Sequence, residues 1–130
     1  MKQYEFVDNA IWTNSKGKQQ NVCYLTMELL DGVELLDFLN CCEDMNDKLI
    51  RYIFVQVANA IHQLHKGGVA HRDIKPENII LTRDYEVKII DFGFSQALSG
   101  KKQQGFMTTK LGTPMYMAPE IHDRTIKYQG

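Results

Sequence analysis

His71-Arg72-Asp73-Ile74-Lys75-Pro76-Glu77-Asn78 is the stretch on which the reading of this 130-residue chain turns. Asp91-Phe92-Gly93 follows it, and then Gly112-Thr113-Pro114-Met115-Tyr116-Met117-Ala118-Pro119-Glu120. Between the first two motifs lie two apolar, strand-like pieces, Asn78–Thr82 and Glu86–Ile90, joined by a turn at Arg83-Asp84. Before the first motif, Leu49, Ile50, Ile53, Phe54, Val57, Ala58, Ile61 and Leu64 recur at steps of three and four. That spacing predicts a helix over Asp47–Lys66 with one apolar stripe, expected to be the central buried helix. Asn46 is its candidate N-cap and Gly67-Gly68 its stop. Further upstream, Tyr4–Trp12 and Val22–Glu28 read as strands around a polar turn, Thr13–Asn21. Gly32 breaks the pattern, and a short helix is expected to start over Glu34–Leu39. Downstream, Ser95–Thr109 is polar and glycine-containing and is expected to be a mobile loop, and Met117–His122 a single helical turn.

Composition narrows the class. Apolar residues make up 44% and charged residues 24%, which predicts a soluble globular domain. The formal net charge of −1 supplies no bulk field for nucleic acid or a membrane surface, so neither partner is expected. Lys16–Lys18 and Lys101-Lys102 are short basic clusters on solvated faces. Cys23, Cys41 and Cys42 are odd in number and lack C-x-x-C spacing, so a reducing, cytoplasmic compartment is expected. No apolar run approaches the length of a membrane span, and the N-terminus lacks a secretory pattern.

The three motifs, in this order, resemble the catalytic loop, the metal-binding loop and the end of the activation segment of eukaryotic protein kinases. One aspartate on a turn is usually a turn former. Eight contiguous residues and two further motifs in sequence are a far stronger signal. The resemblance implies an α+β, protein-kinase-like fold: a small-lobe strand pair over 1–27, a hinge over 28–34 and the front of the helical large lobe over 35–130. It implies transfer of the ATP γ-phosphate to protein hydroxyls, with Mg2+. Lysine two residues after the aspartate, with Gly112-Thr113-Pro114, resembles the serine/threonine branch.

Roles follow from the resemblance residue by residue. Asp73 accepts and orients the incoming hydroxyl, Lys75 steadies the transferring phosphate, and Asn78 completes the catalytic set. Asn78 and Asp91 supply oxygens for magnesium, a hard cation, and the strands between them are expected to bring both to one rim. Met27, as gatekeeper, backbone groups of Glu28 and Leu30, the Glu34 side chain and Ile80 would surround the nucleotide base and ribose, and Lys75, Glu77, Asn78 and Asp91 complete the ATP-binding set. His71 is expected to pack against Phe92. Arg72, Thr109 and Thr113 form the regulatory set, with Arg72 pairing with a phosphate on Thr109. Thr108 is a less well placed phosphosite. His62 and His65 lie three apart on the long helix with no third ligand nearby, so no metal role is assigned to them.

Several family features are not found in the 130 residues. None of the nine glycines forms Gly-x-Gly-x-x-Gly, no lysine-bearing strand precedes the hinge, and the helix carrying that lysine's glutamate partner is missing. Lys88, in Val87-Lys88-Ile89, follows the catalytic loop and cannot substitute. The resemblance therefore implies a fragment that is inactive alone, with Glu120 lacking its arginine partner and the long helix exposing apolar surface. An inert kinase-like scaffold or interaction module is the alternative. It is disfavoured because Asp73 and Asp91 are both present.

Overall fold

The computed structural model describes residues 2–98 and 111–122. The chain divides into two units, Met1–Leu30 and Asp31–Gly130. The boundary falls inside the segment expected as a hinge.

The first unit is an antiparallel hairpin of β1 (Gln3–Thr13) and β2 (Gln19–Met27). Phe6 pairs with Leu25, Val7 with Tyr24 and Trp12 with Gln20. The turn is tighter than the sequence suggested, because Asn14 organises it. Its side-chain oxygen accepts from the Lys16 and Lys18 N–H groups, both at 2.9 Å. At the open end, Glu28 N–H donates to the Lys2 carbonyl at 2.9 Å and Lys2 N–H donates to the Glu28 carboxylate at 2.6 Å.

The second unit begins with β3 (Gly32–Glu34), which runs directly into α1 (Leu35–Cys41). Gly32 is therefore not a break. β3 pairs with a later strand, and a Cβ at Gly32 would lie 2.4 Å from the Leu81 carbonyl oxygen, so only glycine permits the approach. α2 spans Asp47–Lys66, as the periodicity predicts. The Asn46 side chain accepts from Leu49 N–H at 2.9 Å, and Gly67 N–H closes the far end on the Gln63 carbonyl. β4 (Val69–Ala70) leads into the stretch from His71 to Asn78, which ends in a 3-10 turn, Pro76–Asn78. β5 (Ile79–Thr82) and β6 (Val87–Ile89) form a hairpin, and β3, β5 and β6 form one antiparallel sheet in that order. A second 3-10 turn covers Phe92–Phe94. β7 (Gln96–Ala97) then pairs with β4, so the segment from Ser95 starts as paired backbone and not as the expected mobile loop. A 3-10 turn at Pro114–Tyr116 and α3 (Pro119–His122) complete the described elements.

Leu35 of α1, Ile53 of α2, and Ile79 and Leu81 of β5 make the main core, with Phe38, Leu49, Val57 and Val87 packed against it. Each fully buried aliphatic side chain contributes about 1.5–3 kcal/mol. A smaller cluster joins Ala70 to Leu98 and Ile121. The expectation that α2 is buried is corrected. Ile53 is its one buried residue, while Ile50 and Val55 are about half exposed and Phe54 is 69% exposed. Leu49 and Val57 pack beside Ile53, and Ile61 and Leu64 are partly covered, while Ile50, Phe54 and Ala58 of the same stripe stay exposed, in line with the apolar surface expected on this helix. No helix among the described residues is long and apolar enough to cross a membrane.

Candidate catalytic site

β4 and the β5–β6 hairpin hold the two ends of the segment from His71 to Asn78, and that segment is where the buried polar groups gather. His71, Asp73 and Asn78 are all buried, at 3–6% exposure. Burial of polar groups is tolerated only where hydrogen bonds replace water, and here they do. The His71 Nδ1 accepts from Asp73 N–H at 3.3 Å. The other ring nitrogen, Nε2, therefore carries the proton and donates to the Ile90 carbonyl at 2.9 Å. The Phe92 ring meets the His71 ring edge-on, with centroids 4.9 Å apart, as the resemblance implies.

Asp73 is surrounded by donors. One carboxylate oxygen accepts from both the backbone N–H and the hydroxyl of Thr113, each at 2.9 Å. The other accepts from the Asn78 amide at 2.9 Å and faces the Lys75 ammonium at 3.1 Å. Lys75 also donates to the Thr113 hydroxyl at 2.8 Å, closing a ring of three side chains. Burial, the largest influence, pushes the Asp73 carboxyl up, but the bonds from Lys75, Thr113 and Asn78 together hold it below its ordinary value. Lys75 is raised above its ordinary value, first by its bond to Asp73, and further by the carboxylates of Asp73, Glu77 and Asp91, with partial desolvation opposing. The result is an ionised carboxylate beside a charged ammonium.

Asn78 donates its amide hydrogens to the Asp73 carbonyl at 2.8 Å and to the Asp73 carboxylate. Its amide oxygen therefore points away from Asp73. Ile90 N–H bonds the Asn78 carbonyl at 2.9 Å, so the paired strands bring Asp91 one residue beyond Asn78's partner. Asp91 is exposed, sits in the left-handed region at φ 57°, and accepts from Gly93 N–H at 3.1 Å. One amide oxygen and one carboxylate are hard donors that suit magnesium, which typically binds one or two protein groups and completes its shell with phosphate and water. Among the described residues no three His, Cys, Asp or Glu side chains converge on a metal site. The donor set fits a shared magnesium site and not a closed protein cage.

Two backbone devices hold the segment around Arg72. Arg72 takes φ 69°, and its Nε donates to the Phe94 carbonyl at 2.6 Å. Gly112, at φ 129°, lies so close that a Cβ there would be 2.7 Å from the Arg72 carbonyl oxygen. That approach carries Thr113 to Asp73 across 40 residues of sequence. Sequence reasoning placed Thr113 in the regulatory set and missed its contact with the carboxylate. Nothing local in the chain encodes it.

The remaining candidates distribute as follows. Glu34 and Ile80 face each other across the β3–β5 pair. Glu77 lies in the 3-10 turn, with one carboxylate oxygen buried and without a hydrogen-bond partner among the described residues. Met27, Glu28 and Leu30 belong to the first unit, with Met27 the last residue of β2. Lys88 is on β6 and pairs with Glu86 at 3.0 Å. Thr108 and Thr109 lie outside the described residues.

The protein kinase domain family model matches residues 1–129. Citron Rho-interacting kinase of Mus musculus is 38% identical over 105 residues, covering 80% of this chain and 5% of that protein. The probable serine/threonine-protein kinase fhkC of Dictyostelium discoideum is 42% identical over 115 residues, covering 87% of this chain and 19% of that protein. CBL-interacting serine/threonine-protein kinase 20 of Arabidopsis thaliana is 41% identical over 98 residues, covering 75% and 22% respectively. The chain thus spans 5–22% of the length of these relatives.

Proposed function

The chain belongs to the protein kinase domain family, and from that we propose that it supplies the catalytic loop of a serine/threonine protein kinase. The reaction moves the γ-phosphoryl group of ATP to a serine or threonine hydroxyl of a protein. The observation that carries this reading is the Asp73 carboxylate, kept ionised inside a ring of Lys75, Thr113 and Asn78.

Each residue has a task in that reading. Asp73 orients the incoming hydroxyl and receives its proton as the new oxygen–phosphorus bond forms and the bond to the ADP oxygen breaks. A carboxyl held below its ordinary value is a weak base, so orientation is its larger contribution. Both of its oxygens already have two donors each, and the hydroxyl must replace one of them. Lys75 is the donor best able to leave, because its long side chain can swing to the transferring phosphate without breaking backbone contacts. Thr113 and Asn78 then keep the carboxylate in place. Asn78 and Asp91 would hold magnesium, which neutralises the developing charge on the phosphate oxygens. Glu34 and Ile80 would line the ribose and base side.

The test uses the full-length protein with Mg-ATP and a protein substrate. Asp73→Asn is expected to lower kcat by about a hundredfold or more while ATP affinity stays within about twofold. Equal losses in kcat and ATP affinity would remove Asp73 from the acceptor side.

A further inference from the structure

Gln56 sits on α2 between Ile53 and Val57, which both face the core, yet it is polar. Its half-buried amide makes two long-range bonds to backbone. The Nε2 donates to the Tyr85 carbonyl at 2.9 Å, and the Oε1 accepts from Val87 N–H at 3.1 Å. Tyr85 closes the β5–β6 turn in the left-handed region at φ 59°.

The register of the hairpin gives these two bonds their meaning. β6 lies at the edge of the three-stranded sheet, and its inward backbone groups pair with β5: Glu86 with Thr82, and Ile90 with Asn78. The Tyr85 carbonyl and Val87 N–H belong to the alternate set, which faces outward. A carbonyl and an N–H two residues apart on an open edge are what a neighbouring strand would satisfy. The amide of Gln56 supplies the same donor and acceptor from a helix. It both covers the edge and fixes the hairpin against α2 at the turn end. At the other end His71 holds the Ile90 carbonyl. Asn78 precedes β5 and Asp91 follows β6, so both depend on this register.

We propose that Gln56 is a positioning residue that sets the placement of Asn78 and Asp91 for magnesium by clamping the turn of the hairpin between them. The proposal rests on the kinase reading of that site. A slip or tilt of the hairpin would move the two oxygens relative to each other, because a one-residue shift reverses every side chain in a strand. Removing the clamp is therefore expected to weaken metal binding, so that more free Mg2+ is needed, and to leave protein-substrate recognition intact.

The experiment compares the full-length wild type with Gln56→Leu, which keeps the bulk and loses both bonds, and Gln56→Glu, which keeps the acceptor for Val87 N–H only. Free Mg2+ for half-maximal activity should rise about tenfold in Q56L and less in Q56E, with KM for the protein substrate unchanged. Mn2+ binding in the presence of a non-hydrolysable ATP analogue, read by electron paramagnetic resonance, should weaken in the same order. Amide exchange at Val87 should accelerate in Q56L and remain slow in Q56E. If Q56L does not fold, Q56E against wild type carries the metal comparison alone. A lowered melting temperature with unchanged Mg2+ and Mn2+ dependence would make Gln56 structural only and overturn the proposal. A wild type that transfers no phosphate, but whose Mn2+ affinity still falls in Q56L, would sink the kinase reading and retain the clamp.

Discussion

At the scale of single residues, the charge on Asp73 is decided by competition between burial and four donors. Burial opposes the anion, and the donors win, leaving the carboxyl below its ordinary value. The stabilisation from a depressed carboxyl is present above the unfolded value and is lost as pH falls through the folded one. For Lys75 the sign is reversed. Its raised value gives stabilisation that is present below the ordinary lysine value and is lost as pH rises through the folded one. The pair therefore stays charged throughout the neutral range, and Asp73 should impose no acid limb on kcat between about pH 6 and about pH 8. Thr113→Val removes one donor to Asp73 and the acceptor that holds Lys75. It is expected to lower kcat about 10- to 100-fold and to move the acid limb upward, whereas Thr113→Ser should stay within a few-fold. Steady-state kinetics across pH measure both, and a Val variant as fast as Ser would show that the hydroxyl contributes nothing. Asp73, Asn78 and Asp91 were legible as a cluster because they stand in contiguous motifs. The contacts of Thr113 and Gln56 were not: Thr113 was picked out by its motif, but its bond to Asp73 spans 40 residues, and Gln56 bonds backbone 29 and 31 residues away.

At the scale of elements, legibility followed length and period. α2 was read to the residue, since a 20-residue helix shows several turns of its apolar spacing and both its ends carry signals. The hairpin of β1 and β2 was found with its strand ends shifted, because the Asn14 turn is a matter of hydrogen bonds and not of polarity alone. β3, β4 and β7 are two or three residues long and have no period to read, so only their tertiary partners make them strands. The cap on α2 gives a prediction at this scale. The Asn46 side chain accepts from Leu49 N–H at 2.9 Å, a group that also reaches the Asn46 carbonyl at 3.1 Å. Asn46→Ala should destabilise the full-length protein by about 1 kcal/mol, lowering its melting temperature by a few degrees, while Asn46→Asp should be near neutral. Thermal unfolding of the three proteins decides, and an Ala variant that melts with the wild type would mean that the Asn46 carbonyl or water suffices for Leu49 N–H.

At the scale of the whole molecule, the amount of covered apolar surface is the controlling quantity. Among the described residues only Leu35, Ile53, Ala70, Ile79, Leu81 and Ile89 are buried apolar side chains. Against them stand Phe54, Ile50, Tyr52 and Val55 on α2, and Tyr4, Phe6, Ile11 and Trp12 on the hairpin, all about half exposed or more. An isolated two-stranded hairpin is marginal in water, and folded domains survive on about 5–15 kcal/mol in total. The 130-residue chain expressed by itself is therefore expected to self-associate and to bind a hydrophobic dye such as ANS. It should also transfer no phosphate. Its sequence holds Asp73, Lys75, Asn78 and Asp91, but it has no Gly-x-Gly-x-x-Gly to cover the phosphates and no lysine-bearing strand before the expected hinge to pair with them. Electrostatic catalysis needs the phosphates held against the catalytic groups before the reaction starts. Size-exclusion chromatography, dye fluorescence and a radiolabelled ATP assay on the purified chain measure these outcomes together. A monodisperse, cooperatively melting chain would show that the exposed stripe of α2 is tolerated. Magnesium-dependent phosphorylation of a generic protein substrate by the chain alone, abolished by Asp73→Asn, would show that Asp73, Lys75, Asn78 and Asp91 suffice without a phosphate lid.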